Sequence, residues 1–240
     1  MTSEWVNIDV DGLEMRAFLS RPESPGPGVL VLQEIFGVNA HIQDVCRRLA
    51  SAGFTALAPE LYHRTAPHLA LGYNSDDVAA GRSHKERVQQ EELVADLAAS
   101  AAELSRHSAG RPLGVMGFCF GGFCTVVAMA TLPFAAGVAF YGGGLPQGTA
   151  GIPSPLGDLS EVRGELLALF GGQDPLIPQE DVAMLQDALE TAGVAHAVQV
   201  FEEASHGFFC NLRSSYHPEA AGRAWELTLE VLRRRLLGGG

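Results

Sequence analysis

LGVMGFCFGGFCTVVAMAT, residues 113–131, decides how this chain is read. Leu113–Met116 is a short apolar run, the pattern of a strand buried on both faces. From about Gly121 to Thr131 the pattern is helical. Between them stands Gly117-Phe118-Cys119-Phe120-Gly121-Gly122. Strand, glycine-rich turn and helix make the context of a nucleophile elbow, G-x-S-x-G, with Cys119 in the place of the serine. So tight a turn leaves no room for side chains on its flanks, which suits Gly117 and Gly121. The central side chain then projects above the sheet. The N-terminus of the following helix offers free N–H groups and a positive dipole end, and both favour a thiolate.

On either side of this segment, strands and helices alternate. Val29–Leu32, Phe54–Ala58, Gly137–Tyr141, Leu166–Phe170 and Ala197–Phe201 read as strands. Ile42–Ser51, Glu86–His107, Gln179–Ala192 and Pro218–Leu237 read as helices. Residues 62–85 are polar and irregular, with a short helix near Asp76–Gly81, and 142–163 form a long loop. Trp5–Val10 and Glu14–Leu19 flank Asp11-Gly12, so residues 1–20 read as a hairpin. This order predicts an α/β protein with a mostly parallel sheet and helices on both faces. One domain over residues 1–240 is the simplest division, with a frayed tail at 238–240. The site then lies beyond the C-terminal ends of the strands.

Two further segments end at that edge. Asp174, in Gly171-Gly172-Gln173-Asp174-Pro175, follows the strand Leu166–Phe170, and His206 follows Ala197–Phe201. The order nucleophile, acid, histidine is that of α/β-hydrolases. Alone, a Gly-Asp-Pro turn or a loop histidine is a common surface feature. Three such pieces in order, each after a strand, point to a triad of Cys119, Asp174 and His206. An oxyanion hole needs two N–H donors. Phe120, after the nucleophile, supplies one, and Ile35, in the loop after Val29–Leu32, is the candidate for the other.

Composition limits the alternatives. The 240 residues carry 28 acids and 16 Lys or Arg, a formal net charge of -12. Such a surface disfavours nucleic acid and anionic membranes. The first ten residues lack the basic and apolar regions of a signal peptide, and no run approaches the length of a membrane span, so a soluble cytoplasmic protein is expected. Four cysteines in a reducing compartment argue against disulfides, and their spacing matches no common zinc pattern. Cys46 and Cys124 read as core. His41, His63, His68, His84, His107, His196 and His217 form no HxxxH or HxH pair, so no metal and no cofactor are expected. Tyr141, at a strand end, meets either substrate or core. Phe36, Phe118, Phe208 and Phe209 make either a pocket wall or ordinary core, and Cys210 either lines the pocket or packs.

QEIFGVN at 33–39, APELYHR at 58–64, GFCFGG at 117–122, GGQDPLIP at 171–178 and SHGF at 205–208 resemble the motifs of the dienelactone hydrolase family, over nearly the whole chain. The resemblance implies an α/β-hydrolase fold and the Cys119–His206–Asp174 triad. It also implies that Glu34 contacts the nucleophile and takes its proton once substrate binds. Typical members hold the substrate carboxylate with two arginines. One lies four residues after the histidine, where this chain has Cys210, with an arginine only at Arg213. For the other, Arg82 and Arg87 are candidates. A thiol cannot replace a bidentate guanidinium, which puts a carboxylate-bearing substrate in doubt.

A thiolate leaves a tetrahedral intermediate more easily than an alkoxide does. The expected substrates are therefore enol lactones, enol esters or aryl esters, cleaved through a thioester. The competing readings are a general aryl esterase without a carboxylate clamp and a non-enzymatic thiol redox or ligand sensor. A sensor has no use for Asp174 and His206 in matching places. A small ester or lactone is the expected partner, acted on by a monomer or small homo-oligomer.

Overall fold

The computed structural model describes residues 1–108 and 110–238. Of the tail expected to fray, Gly239 and Gly240 lie outside the described residues, and the Gly238 N–H donates to the Arg233 carbonyl.

The chain opens with the hairpin β1 (Thr2–Val10) and β2 (Leu13–Arg21), paired from Thr2 with Arg21 to Val10 with Leu13. Asp11 and Gly12 have φ of 54° and 81°. Two positive φ angles in a two-residue turn match the right-handed twist of the strands. Then follow β3 (Gly28–Leu32), α1 (Ala40–Ser51), β4 (Thr55–Pro59), α2 (Ser75–Lys85), α3 (Gln90–His107), β5 (Gly114–Phe118), α4 (Phe120–Thr131) and β6 (Ala136–Phe140). A 3-10 helix (Pro155–Glu161), β7 (Glu165–Gly171), α5 (Gln179–Ala192), β8 (Ala195–Phe201) and α6 (Pro218–Leu236) complete the chain.

All eight strands join one sheet in the order β1-β2-β4-β3-β5-β6-β7-β8. Only the β1–β2 and β2–β4 pairs are antiparallel. Every residue of β3, β4, β5 and β6 is buried. Helices cover both faces of these strands, which is why they read as unbroken apolar runs rather than alternating ones. Burying each Val, Leu or Phe there stabilises the fold by about 1.5–3 kcal/mol. α1 and α6 meet on one face, where the Arg48 guanidinium lies 4.2 Å over the Trp225 ring. This is the α/β-hydrolase arrangement.

The structure differs from the sequence reading between residues 75 and 90. The expected short helix runs on to Lys85, and the helix expected from Glu86 begins only at Gln90. Asn74 caps α2, its Oδ1 accepting the Asp77 N–H at 2.9 Å, with Asp76 and Asp77 in the first turn. These local contacts support a helix without an apolar stripe. Val88 is buried in the link, so the chain is anchored to the core where a continuous helix was expected. The loop 142–163 contains the unexpected 3-10 helix, started by Ser154, whose Oγ accepts the Leu156 N–H.

Candidate active site

Cys119 stands between β5 and α4 with φ 54° and ψ -113°. A left-handed φ at a residue with a side chain costs about 1–3 kcal/mol, so the surroundings must impose it. The Cys119 N–H donates to the Phe140 carbonyl on β6 at 3.0 Å, and its carbonyl accepts the first helical bond, from the Phe123 N–H, at 3.1 Å. The flanking glycines let the backbones close. A Cβ on Gly117 would overlap the Gly121 carbonyl, and one on Gly121 the Leu32 carbonyl of β3. Cys119 itself is only partly buried.

Asp174 follows β7 and is fully engaged. Its Oδ1 accepts the Leu176 N–H at 2.8 Å, and its Oδ2 accepts from His206 Nδ1 at 2.7 Å. With both oxygens bound, the carboxylate fixes the ring plane and the tautomer of His206, which leaves Nε2 to do chemistry. That Nε2 is buried and has no partner among the described residues. Burial alone would lower the pKa of His206, but the Cys119 charge and the hydrogen bond to Asp174 outweigh it and push the value up to about 10.

Glu34 lies in the loop after β3, its side chain wholly buried. Its Oε1 accepts from the Arg213 guanidinium at 3.1 Å, and the Tyr73 hydroxyl donates to Oε2 at 3.5 Å. Among the described residues it makes no hydrogen bond to Cys119. Burial pushes its carboxyl up from the ordinary range, and Arg213 and His206 pull it down without cancelling that effect.

These groups surround a cavity of about 310 Å³. Cys119 and His206 open into it, as do Ile35 and Phe120. Phe120 is the first residue of α4, so its N–H has no intrahelical partner. The Ile35 N–H makes no hydrogen bond among the described residues. Of the residues expected to meet substrate, Phe36, Arg82 and Arg213 line the cavity. Tyr141, Phe208 and Cys210 do not; all three are fully buried behind it. The Tyr141 ring packs edge-on against His206, centroids 5.1 Å apart, and Phe208 packs against Tyr141 at 5.4 Å. The aromatic pair supports the imidazole from behind and lies outside the cavity.

Sequence reasoning missed Lys85, one turn beyond Arg82 on α2, which also lines the cavity. Neither Arg82 nor Lys85 makes an ion pair among the described residues. The i, i+3 spacing of the two cations was a usable signal, hidden by placing the helix end too early. Gly81 brings α2 close: a Cβ there would stand 2.5 Å from the Ile35 carbonyl oxygen.

Fold and site together define an α/β-hydrolase. A model of the dienelactone hydrolase family matches residues 15–236. A protein of Synechocystis sp. named "Putative carboxymethylenebutenolidase" is 36% identical over 236 residues, covering 96% of each chain. A crystal structure from Klebsiella pneumoniae, described as a "Putative Dienelactone Hydrolase", is 33% identical with a TM-score of 0.86 and covers 98% of this chain and 100% of its own. A dienelactone hydrolase-like promiscuous phosphotriesterase from metagenomic libraries is 26% identical with a TM-score of 0.79, covering 98% of each chain. This chain belongs to the dienelactone hydrolase family and is a hydrolase. Among the described residues no helix is long and apolar enough to cross a membrane.

Proposed function

We propose that this hydrolase cleaves activated carboxylic esters and enol lactones bearing an anionic group, through a thioester on Cys119. The observation that carries the reading is His206, fixed by Asp174 at 2.7 Å with a buried Nε2, unpartnered among the described residues, in the cavity that Cys119 shares. Arg82 and Lys85, without ion partners among the described residues, favour an anionic substituent over the general aryl esterase reading. A single domain working in a reducing cytoplasm is consistent with four free cysteines.

In the cycle we propose, the Cys119 proton passes to His206, with Glu34 as a second acceptor once Arg213 turns to the substrate. The thiolate attacks the carbonyl carbon, and a C–S bond forms. The carbonyl oxygen takes the electron pair and accepts hydrogen bonds from the N–H groups of Ile35 and Phe120. Collapse breaks the C–O bond, and the enolate or phenolate oxygen leaves taking the proton from His206, which is returned to its neutral form. His206 then takes a proton from water, the hydroxide equivalent attacks the thioester, and the thiolate departs from the acid product. Simple alkyl esters fall back to reactants, because the thiolate is the better leaving group.

Hydrolysis of a carboxylated dienelactone beside a neutral aryl acetate, with Cys119→Ala as control, tests this. Turnover of both, faster for the dienelactone and lost in the variant, is the expected result. Turnover of the aryl ester alone would remove the anionic substrate, and turnover by the variant would remove Cys119 as nucleophile.

A further inference from the structure

Behind the cavity lies a second group of reactive side chains, of which the cycle above uses only Glu34. Glu34 from the loop after β3, His41 from the first turn of α1 and Cys210 from the loop between β8 and α6 each present one donor atom, all within 4.8 Å of one another. All three residues are buried. His41 Nε2 has no hydrogen-bond partner among the described residues, although it is buried. An unpaired buried nitrogen is unfavourable and calls for a cause. Its ring is held edge-on by Phe118 and Phe209, at 5.3 Å and 6.1 Å between centroids, so it cannot swing out to water without disturbing that packing.

We infer that Glu34, His41 and Cys210 form a binding site for a thiophilic divalent transition-metal ion of the Zn²⁺ type. Carboxylate, imidazole and thiolate together suit zinc or cobalt, whereas magnesium and calcium prefer oxygen alone. Metal–donor distances of about 2.0–2.3 Å require the three atoms to draw together by roughly 1 Å, within reach of side-chain adjustment. Three protein donors leave a fourth position for water. Tyr73 steadies two of the donors, its hydroxyl lying 3.2 Å from Cys210 Sγ and 3.5 Å from Glu34 Oε2. On binding, the Cys210 thiol releases its proton to solvent, and thiolate plus carboxylate balance the two charges of the ion. The guanidinium of Arg213, 3.1 Å from Glu34 Oε1, opposes the ion, and its side chain is partly exposed, so it is the group that yields. Because Arg213 also lines the catalytic cavity, an occupied site changes what the cavity offers to an anion.

Titration of Cys119→Ala protein with Co²⁺, followed optically, tests the site without the nucleophile and without any assay of hydrolysis. A failed hydrolase reading therefore leaves this result unaffected. The expected result is one ion per chain, a thiolate-to-cobalt charge-transfer band in the near ultraviolet, the strong visible bands of four-coordinate cobalt, and displacement by Zn²⁺. The band disappears in Cys119→Ala/Cys210→Ala, and affinity falls about tenfold or more in Cys119→Ala/His41→Gln. Absence of the charge-transfer band in Cys119→Ala itself overturns the inference, whether or not the double variants fold, as does a band that survives the loss of Cys210.

Discussion

Cys119 and His206 are coupled through charge. The Cys119 charge is the largest influence raising the pKa of His206, ahead of its hydrogen bond to Asp174. Cys119→Ala therefore lowers the pKa of His206 from its position near 10, read from its ring resonances by NMR across a pH series; an unchanged titration would show that Asp174 alone sustains it. In the proposed cycle Glu34→Gln removes a proton acceptor with little change of shape, and we expect turnover of the aryl ester to fall by about 10²-fold or more, with the fold intact by circular dichroism. At this scale the sequence was informative where a residue's placement follows from its neighbours in the chain. Cys119 sits in a glycine-flanked turn, and Asp174 and His206 each follow a strand. It named Glu34 and Arg213 but was silent on their pairing, which joins positions 179 residues apart. Tyr141, Phe208 and Cys210 follow strands or His206 as closely as the cavity residues do. Their backbone directions turn them inward, and chain position does not reveal that.

Two helical glycines position the site. Gly121 lies in the first turn of α4, where alanine would ordinarily stabilise a helix by up to about 1 kcal/mol. Here its Cβ would overlap the carbonyls of Leu32 and Gln33, so Gly121→Ala should instead destabilise by about 3 kcal/mol or more, measured by denaturant unfolding. Gly81→Ala acts on α2. With its Cβ 2.5 Å from the Ile35 oxygen, the helix must move outward and carry Arg82 and Lys85 with it. We expect a higher KM for the carboxylated lactone and little change for the neutral aryl acetate; equal effects on both would mean that the loop carrying Ile35 had moved instead. The strands and α5 were legible because apolar runs and capping signals are local. α2 was only half legible because polar caps and its contact with Ile35 support it, with no apolar stripe to mark its length.

Across the whole molecule, a chain of net charge -12 holds a cavity lined by Arg82, Lys85 and Arg213. The acidic exterior repels an anionic substrate at long range while the cavity attracts it at short range. Salt screens exposed charges beyond about 10 Å at 0.1 M but weakens close contacts less. Raising the salt from low concentration should therefore change kcat/KM for the carboxylated lactone but not for the neutral ester; a parallel response of both would assign the effect to the fold. Stability carries its own pH signature. His206 binds its proton more tightly folded than unfolded, so this contribution is full below about pH 6.5 and is lost as pH rises toward 10. In Cys119→Ala the alkaline loss of stability should start at lower pH, as thermal unfolding across that range would show.

The apolar segments were enough to define an α/β sheet with a tight glycine-flanked turn at its C-terminal edge, because burial on both faces and the tightness of that turn impose residue types locally. Only the packed chain decided that Glu34 faces Arg213 rather than Cys119, that Arg82 and Lys85 share the cavity, and that His41 and Cys210 converge behind it. Those juxtapositions join segments far apart in the chain. They depend on strand order and crossover, which leave no mark in the spacing of residues along the sequence.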